Sequence, residues 1–83
     1  MKELVEYIVK ALVECPDKVE VIETAGESIS VIEIRVDPSD LGKVIGKEGR
    51  MANAIRTVVK SAAMKQGKKA TIEILTEDSE KGR

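Results

Sequence analysis

The stretch Leu41-Gly42-Lys43-Val44-Ile45-Gly46-Lys47-Glu48-Gly49-Arg50 decides how this chain is read. Two glycines flank two polar residues, the apolar pair Val44-Ile45 comes before them, and a clean amphipathic run follows. That pattern predicts two helices joined by a tight turn with nothing bulky at its apex. Glycine lacks a Cβ and enters the positive-φ region without strain, so it permits both a sharp reversal and the close approach of another backbone. The amides that open the second helix carry partial positive charge, which favours an anion such as phosphate. Lys47 and Arg50 add mobile charge at the same place. Taken alone, Gly-x-x-Gly is common turn chemistry, so its surroundings must give it weight.

Charge is the first of those surroundings. The net charge of −1 over 83 residues conceals a strong segregation. Residues 1–41 carry four basic and ten acidic side chains, residues 42–69 carry eight basic and one acidic, and residues 70–83 carry two basic and four acidic. The 28 residues around the Gly-x-x-Gly therefore hold a balance of +7 on an otherwise acidic chain. A concentrated basic patch is the electrostatic footprint of a nucleic-acid binder. A solvated helix face is the plainer explanation of lysines. The presence of Glu48 as the single acid among them tells against it.

Periodicity supplies the elements. Residues 2–14 read as a helix, with Leu4, Val5, Ile8, Leu12 and Cys15 at three- and four-residue spacings, and Pro16 ends it. Residues 18–24 and 28–36 read as strands rich in β-branched residues around the turn Ala25-Gly26-Glu27, which predicts an antiparallel hairpin. Asp37-Pro38-Ser39-Asp40 is a helix start, and the helix it opens is short, ending at Gly46. Residues 50–66 form the longest helix, with Met51, Ala52, Ala54, Ile55, Val58, Val59, Ala62 and Ala63 on one half. Gln66-Gly67-Lys68-Lys69 is a basic loop, and residues 70–76 are a last strand.

Val44-Ile45-Gly46-Lys47-Glu48-Gly49, followed by Ala54-Ile55, resembles the signature of the KH domain, whose Gly-x-x-Gly loop clamps about four backbone nucleotides of a single strand. The longer run from Gly46 to Lys60 is similar to the small, stand-alone bacterial KH RNA-binding proteins of the KhpA type. This likeness covers essentially the whole chain. It implies an α+β fold: one type II KH domain over residues 1–76 in the order α-β-β-α-α-β, followed by a polar tail at 77–83. The three-stranded mixed sheet would carry its helices on one face, with the last strand parallel to the middle one. A right-handed crossover through the helix pair fits that arrangement.

The resemblance also implies a ligand and its contacts. Single-stranded RNA would meet Gly46, Lys47, Glu48, Gly49 and Arg50 at the loop, with Lys43 beside it. Val44, Ile45 and Ala54 would form an apolar floor below the bases, Asn53 and Arg56 would assist, and Gln66 to Lys69, including Lys68 and Lys69, would stand across the groove. Ile45 fits the core equally well. Glu48 departs from the basic dipeptide often found between the glycines, which lowers the expected affinity. Members of the family pair with themselves or with a larger KH-containing protein, and act in post-transcriptional control. Here the apolar half of the long helix spans roughly 180°, wider than the ~100° that packing on one core requires. Met51, Ala54 and Val58 are therefore the expected dimer contacts. An interaction adaptor in which RNA binding is secondary is the competing reading.

Composition excludes other classes. Tyr7 is the one aromatic residue, so a base-stacking platform of the RNA-recognition-motif or OB type is not expected. Histidine is absent and Cys15 is the single cysteine, which removes an ordinary zinc site, an internal disulfide and the usual nucleophile–base pairs. No enzyme activity, cofactor or metal is expected. The Gly42–Gly46 segment lacks the ending of a P-loop. No apolar run approaches the ~18 residues of a membrane span, and Met1-Lys2-Glu3 opens a polar-faced helix rather than a signal peptide. The expected location is the cytoplasm, without membrane partners.

Overall fold

The computed structural model describes residues 1–76; the expected polar tail at 77–83 lies outside the described residues. Three helices and three strands follow in the order α1 (Lys2–Leu12), β1 (Glu20–Ala25), β2 (Ile29–Val36), α2 (Leu41–Ile45), α3 (Arg50–Lys65) and β3 (Lys69–Thr76). The fold is α+β, in the expected order. Single 3-10 turns occupy Pro16–Lys18, Pro38–Asp40 and Lys47–Gly49.

Several boundaries depart from periodicity by a residue or more, and three of these have a clear local reason. α1 stops at Leu12 rather than running to residue 14, because Val13 is already extended at φ −98°, ψ 164°. β1 starts at Glu20 rather than residue 18. Pro16 presets a turn in which the Lys18 and Val19 amides donate to the Cys15 and Pro16 carbonyls at 3.0 and 3.1 Å. β3 gains Lys69, whose amide donates to the Ser28 carbonyl at 2.9 Å.

The sheet order is β1-β2-β3. β1 and β2 run antiparallel with Glu20 opposite Arg35 and Ala25 opposite Ser30, and β2 and β3 run parallel from the Ile29–Lys69 pair to the Val36–Thr76 pair. Side chains alternate across a strand. Ser30, Ile32, Ile34 and Val36 therefore face one way with Val21, Ala70 and Ile72, and all are buried. Val5 and Val9 of α1, Val44 of α2, and Ile55, Val59 and Ala63 of α3 complete that core. It contains no aromatic residue, and its tight branched side chains contribute about 1.5–3 kcal/mol each when fully buried. On the opposite face Ile22 and Val31 stay exposed around a Glu33–Arg35 pair at 3.1 Å. The helices thus cover one face of the sheet.

One buried acid ties the first helix to the second. Asp40, only 1 % exposed, precedes α2, and its carboxylate accepts hydrogen bonds from the Glu14 and Cys15 amides at 3.2 and 3.0 Å. Lys43 adds its ammonium at 3.9 Å from the same carboxylate. Without Asp40 those amides would lose their partner, at a cost of about 1–3 kcal/mol for each one left buried. The extended link after α1 is thereby fixed against the element that carries the glycine turn.

Candidate nucleic-acid interface

α2 has only five residues, and Gly46 ends it at φ 78°, ψ 174°. A Cβ at that position would lie 2.7 Å from the Met51 Cβ and 2.8 Å from the Met51 amide nitrogen. Gly46 is therefore required twice, by its backbone angles and by the close start of α3. The turn continues through Glu48 at φ 57° and Gly49 at φ 77°, both left-handed. A Cβ at Gly49 would meet nothing within 4 Å, so conformation alone favours glycine there.

The supply of free amides is smaller than the sequence suggests. The Gly49 amide donates to the Gly46 carbonyl at 3.2 Å, and the Arg50 amide donates to the Lys47 carbonyl. Lys47 and Glu48, at the head of the turn, have no acceptor within it. No side chain caps α3. The positive end of its dipole is thus left open toward the exposed Lys47 and Arg50. Glu48 partly offsets that field, since its carboxylate lies 3.6 Å from the Arg50 guanidinium.

The remaining expected residues fall into different settings. Val44, expected beneath the bases, is fully buried in the core and offers no surface. A five-residue helix is too short to show which of two adjacent aliphatics turns inward. Ile45 is half-buried beside the turn. Lys43 is engaged with Asp40 and, at 4.0 Å, with Glu14. Asn53 and Arg56 bond to each other on the surface, the guanidinium donating to the Asn53 Oδ1 at 3.2 Å. Ala54 is exposed, Val58 is 45 % exposed, and Met51 is half-buried and packed on the core. Lys69 opens β3 and Lys68 is half-exposed before it.

α3 is divided lengthwise. Ala52, Ile55, Val59 and Ala63 form the buried line. At 100° per residue, Ala54 and Val58 fall to one side of that line. Asn53, Arg56, Lys60 and Met64 fall to the other. At the far end, Lys60 and Met64 border a groove of about 340 Å³ completed by Ile29, Lys68, Lys69 and Thr71. Reading for an apolar stripe passes over these two residues. Their four-residue spacing, which puts them on one face, is the available signal.

Cys15 is not poised as a nucleophile. Burial first, then Asp40 and the other neighbouring carboxylates, push its thiol above the ordinary value. Among the described residues no group of three His, Cys, Asp or Glu side chains could hold a metal ion, and no helix is long and apolar enough to cross a membrane.

Comparison with known proteins places nearly the whole chain within one family. A family model described as "KhpA/KhpB, KH domain" matches residues 2–74. The chain is 55% identical over 75 residues to the RNA-binding protein KhpA of Clostridium acetobutylicum, covering 90% of this chain and 100% of that protein. It is 57% identical over 75 residues to KhpA of Clostridium perfringens, with the same coverages. KhpA of Aquifex aeolicus is 52% identical over 75 residues, covering 90% of this chain and 95% of that protein. Among solved structures, Era in complex with MgGDPNP and nucleotides 1506–1542 of 16S ribosomal RNA superposes with a TM-score of 0.60 at 24% identity. That match covers 90% of this chain but 29% of Era, and it supports the fold alone. The KhpA relatives are named as RNA-binding proteins, and that family is not one of enzymes. With the glycine turn, the α-β-β-α-α-β order and a family match over nearly its whole length, the chain belongs to the KhpA/KhpB family of KH domains.

Proposed function

We propose that this protein binds single-stranded RNA with low sequence preference, holding the strand's backbone at the turn between Gly46 and Gly49. The observation that carries this reading is the uncapped start of α3, flanked by Lys47 and Arg50 and approached through a turn with two left-handed residues. The ligand class comes from the relatives, which are named RNA-binding proteins. Gly46 and Gly49 give the backbone its close approach, and Lys47 and Arg50 supply charge. Ile45 offers aliphatic contact to bases, Asn53 and Arg56 offer hydrogen bonds, and Lys68 and Lys69 stand farther along. Val44 and Lys43 support the turn from beneath and beside it. Without an aromatic platform, base contacts are weak and tolerant of sequence. A cytoplasmic post-transcriptional regulator or RNA chaperone is the role that fits.

Fluorescence anisotropy with short unstructured RNAs at several salt concentrations tests this reading. Affinity should fall with salt by a slope of about −0.7 per phosphate contact. Replacing Lys47 and Glu48 together with Asp should greatly weaken binding while circular dichroism stays at wild type, because Asp tolerates the left-handed region better than most residues. Unchanged affinity in that folded variant would reduce the loop to a turn. A second reading, a dimerising adaptor, is favoured by the exposure of Ala54 and Val58 on α3. Its partner would be a second copy or a larger KH-containing protein.

A further inference from the structure

From Arg50, exposed Asn53, Thr57, Lys60 and Met64 follow at three- and four-residue spacings, making one continuous line along α3. Lys60 lies ten residues from Arg50, about 15 Å along the helix axis at 1.5 Å per residue. There the line enters the groove of about 340 Å³. Ile29 and Met64, 42 % and 73 % exposed, are two of the large apolar side chains left uncovered by the fold, and both line this groove. Lys60, Lys68 and Lys69 supply three ammonium groups around them. No acid occurs between Gly49 and Ile72. The acids nearest in sequence to its walls are Glu27, two residues before Ile29, and Glu73, two residues after Thr71.

An apolar surface bordered by cations suits a ligand with a flat, weakly polar body and a negatively charged periphery. A nucleotide has that chemistry. A peptide with acids around an apolar anchor shares it, but the acid-free line from the glycine turn to the groove favours the strand already held at the turn. The volume is near the low end of the roughly 300–1,000 Å³ of small-ligand pockets. That suits one base better than a partner's helix.

We propose that this groove is a second RNA contact, taking one base of the same strand against Met64 and Ile29 while Lys60 and Lys68 meet flanking phosphates. The proposal rests on the RNA-binding reading and extends it from backbone capture at the turn to a base-accepting site at the opposite end of α3. Thr71 would give the base a hydrogen-bonding edge without fixing its identity. The strand would lie along the polar flank of the helix.

The test is methyl and amide NMR of the full chain, titrated with an unstructured ten-nucleotide RNA. The Met64 and Ile29 methyl signals should shift with the amides of Lys47 to Arg50 and saturate at the same RNA concentration. Met64→Ser should weaken binding three- to tenfold and leave the salt slope unchanged, because it removes an apolar contact. Lys60→Ser should lower the slope by about 0.7, the share of one phosphate contact. Both side chains are exposed, so both variants should fold. Shifts at the turn without shifts at Met64 and Ile29, together with wild-type affinity in Met64→Ser, would overturn the second contact and leave backbone capture standing. No shift anywhere would defeat the RNA reading itself. Methyl shifts with an acidic leucine-containing peptide, but not with RNA, would overturn the proposal in favour of a protein ligand.

Discussion

Glu48 occupies the left-handed region at φ 57°, where a residue with a Cβ costs roughly 1–2 kcal/mol. Its carboxylate lies 3.6 Å from the Arg50 guanidinium. Such an exposed pair adds only about 0–1 kcal/mol to stability; in the proposed RNA complex, a phosphate reaching Arg50 would have to compete with Glu48. Glu48→Gln should therefore raise RNA affinity severalfold at low salt, with the gain shrinking as salt screens the field. Anisotropy titrations at two ionic strengths check this, and an unchanged affinity would remove Glu48 from the account. The two glycines should also separate. Gly49→Ala meets open space and should cost about 1–2 kcal/mol through its backbone angle alone. Gly46→Ala must in addition push against the Met51 Cβ and amide nitrogen, so its loss in urea unfolding should be clearly the larger. Equal losses would mean that α3 can shift freely at its start.

The elements differ in how far local chemistry determines them. Asp37 shows a local case: its side chain accepts from the Ser39 hydroxyl and amide, which hold its carboxyl below the ordinary aspartate value. A lowered folded value means that its contribution is complete above the unfolded value near 3.9 and is lost as pH falls through the lowered one. Asp37→Asn should therefore flatten the acid side of a stability–pH profile below about pH 4, with little change in slope at neutral pH; urea midpoints across the acid range measure it. The hairpin and α3 were likewise legible, because alternation in one and the line Ala52-Ile55-Val59-Ala63 in the other repeat within the element itself. Asp40 was not. Its partners, the amides of Glu14 and Cys15, lie 26 and 25 residues away, and nothing beside Asp40 announces them. The glycine turn was legible from its residues, but the inward turn of Val44 and the pairing of Lys43 depend on the packing of α2 against other elements. The groove at the end of α3 was hidden for a related reason: Ile29 enters it from another strand.

For the molecule as a whole, α3 presents two exposed flanks on opposite sides of one buried line. Exposed Ala54 and Val58 offer a narrow apolar strip, and a two-fold contact between copies would cover it. Sedimentation equilibrium should show wild type associating in the micromolar range and Val58→Asp remaining monomeric. Because the proposed RNA line runs along the other flank, the monomeric variant should keep wild-type affinity for a short RNA; a parallel loss would place both functions on one surface. The parallel pairing of β2 with β3 has a different consequence, for how the chain folds. Partners in that ladder, such as Ile29 and Lys69, stand 40 residues apart, whereas the β1–β2 hairpin closes locally. Distant pairings must pay their loop-closure entropy before they return any contact energy, and this slows folding relative to a helical bundle of equal size. During synthesis the hairpin can form early, but β2 keeps an unpaired edge until β3 emerges. A nascent chain stopped at Gly67 would display that aliphatic edge, rich in Ile and Val, as a template for intermolecular strand pairing. Completion of the last strand is therefore the step that covers the β2 edge.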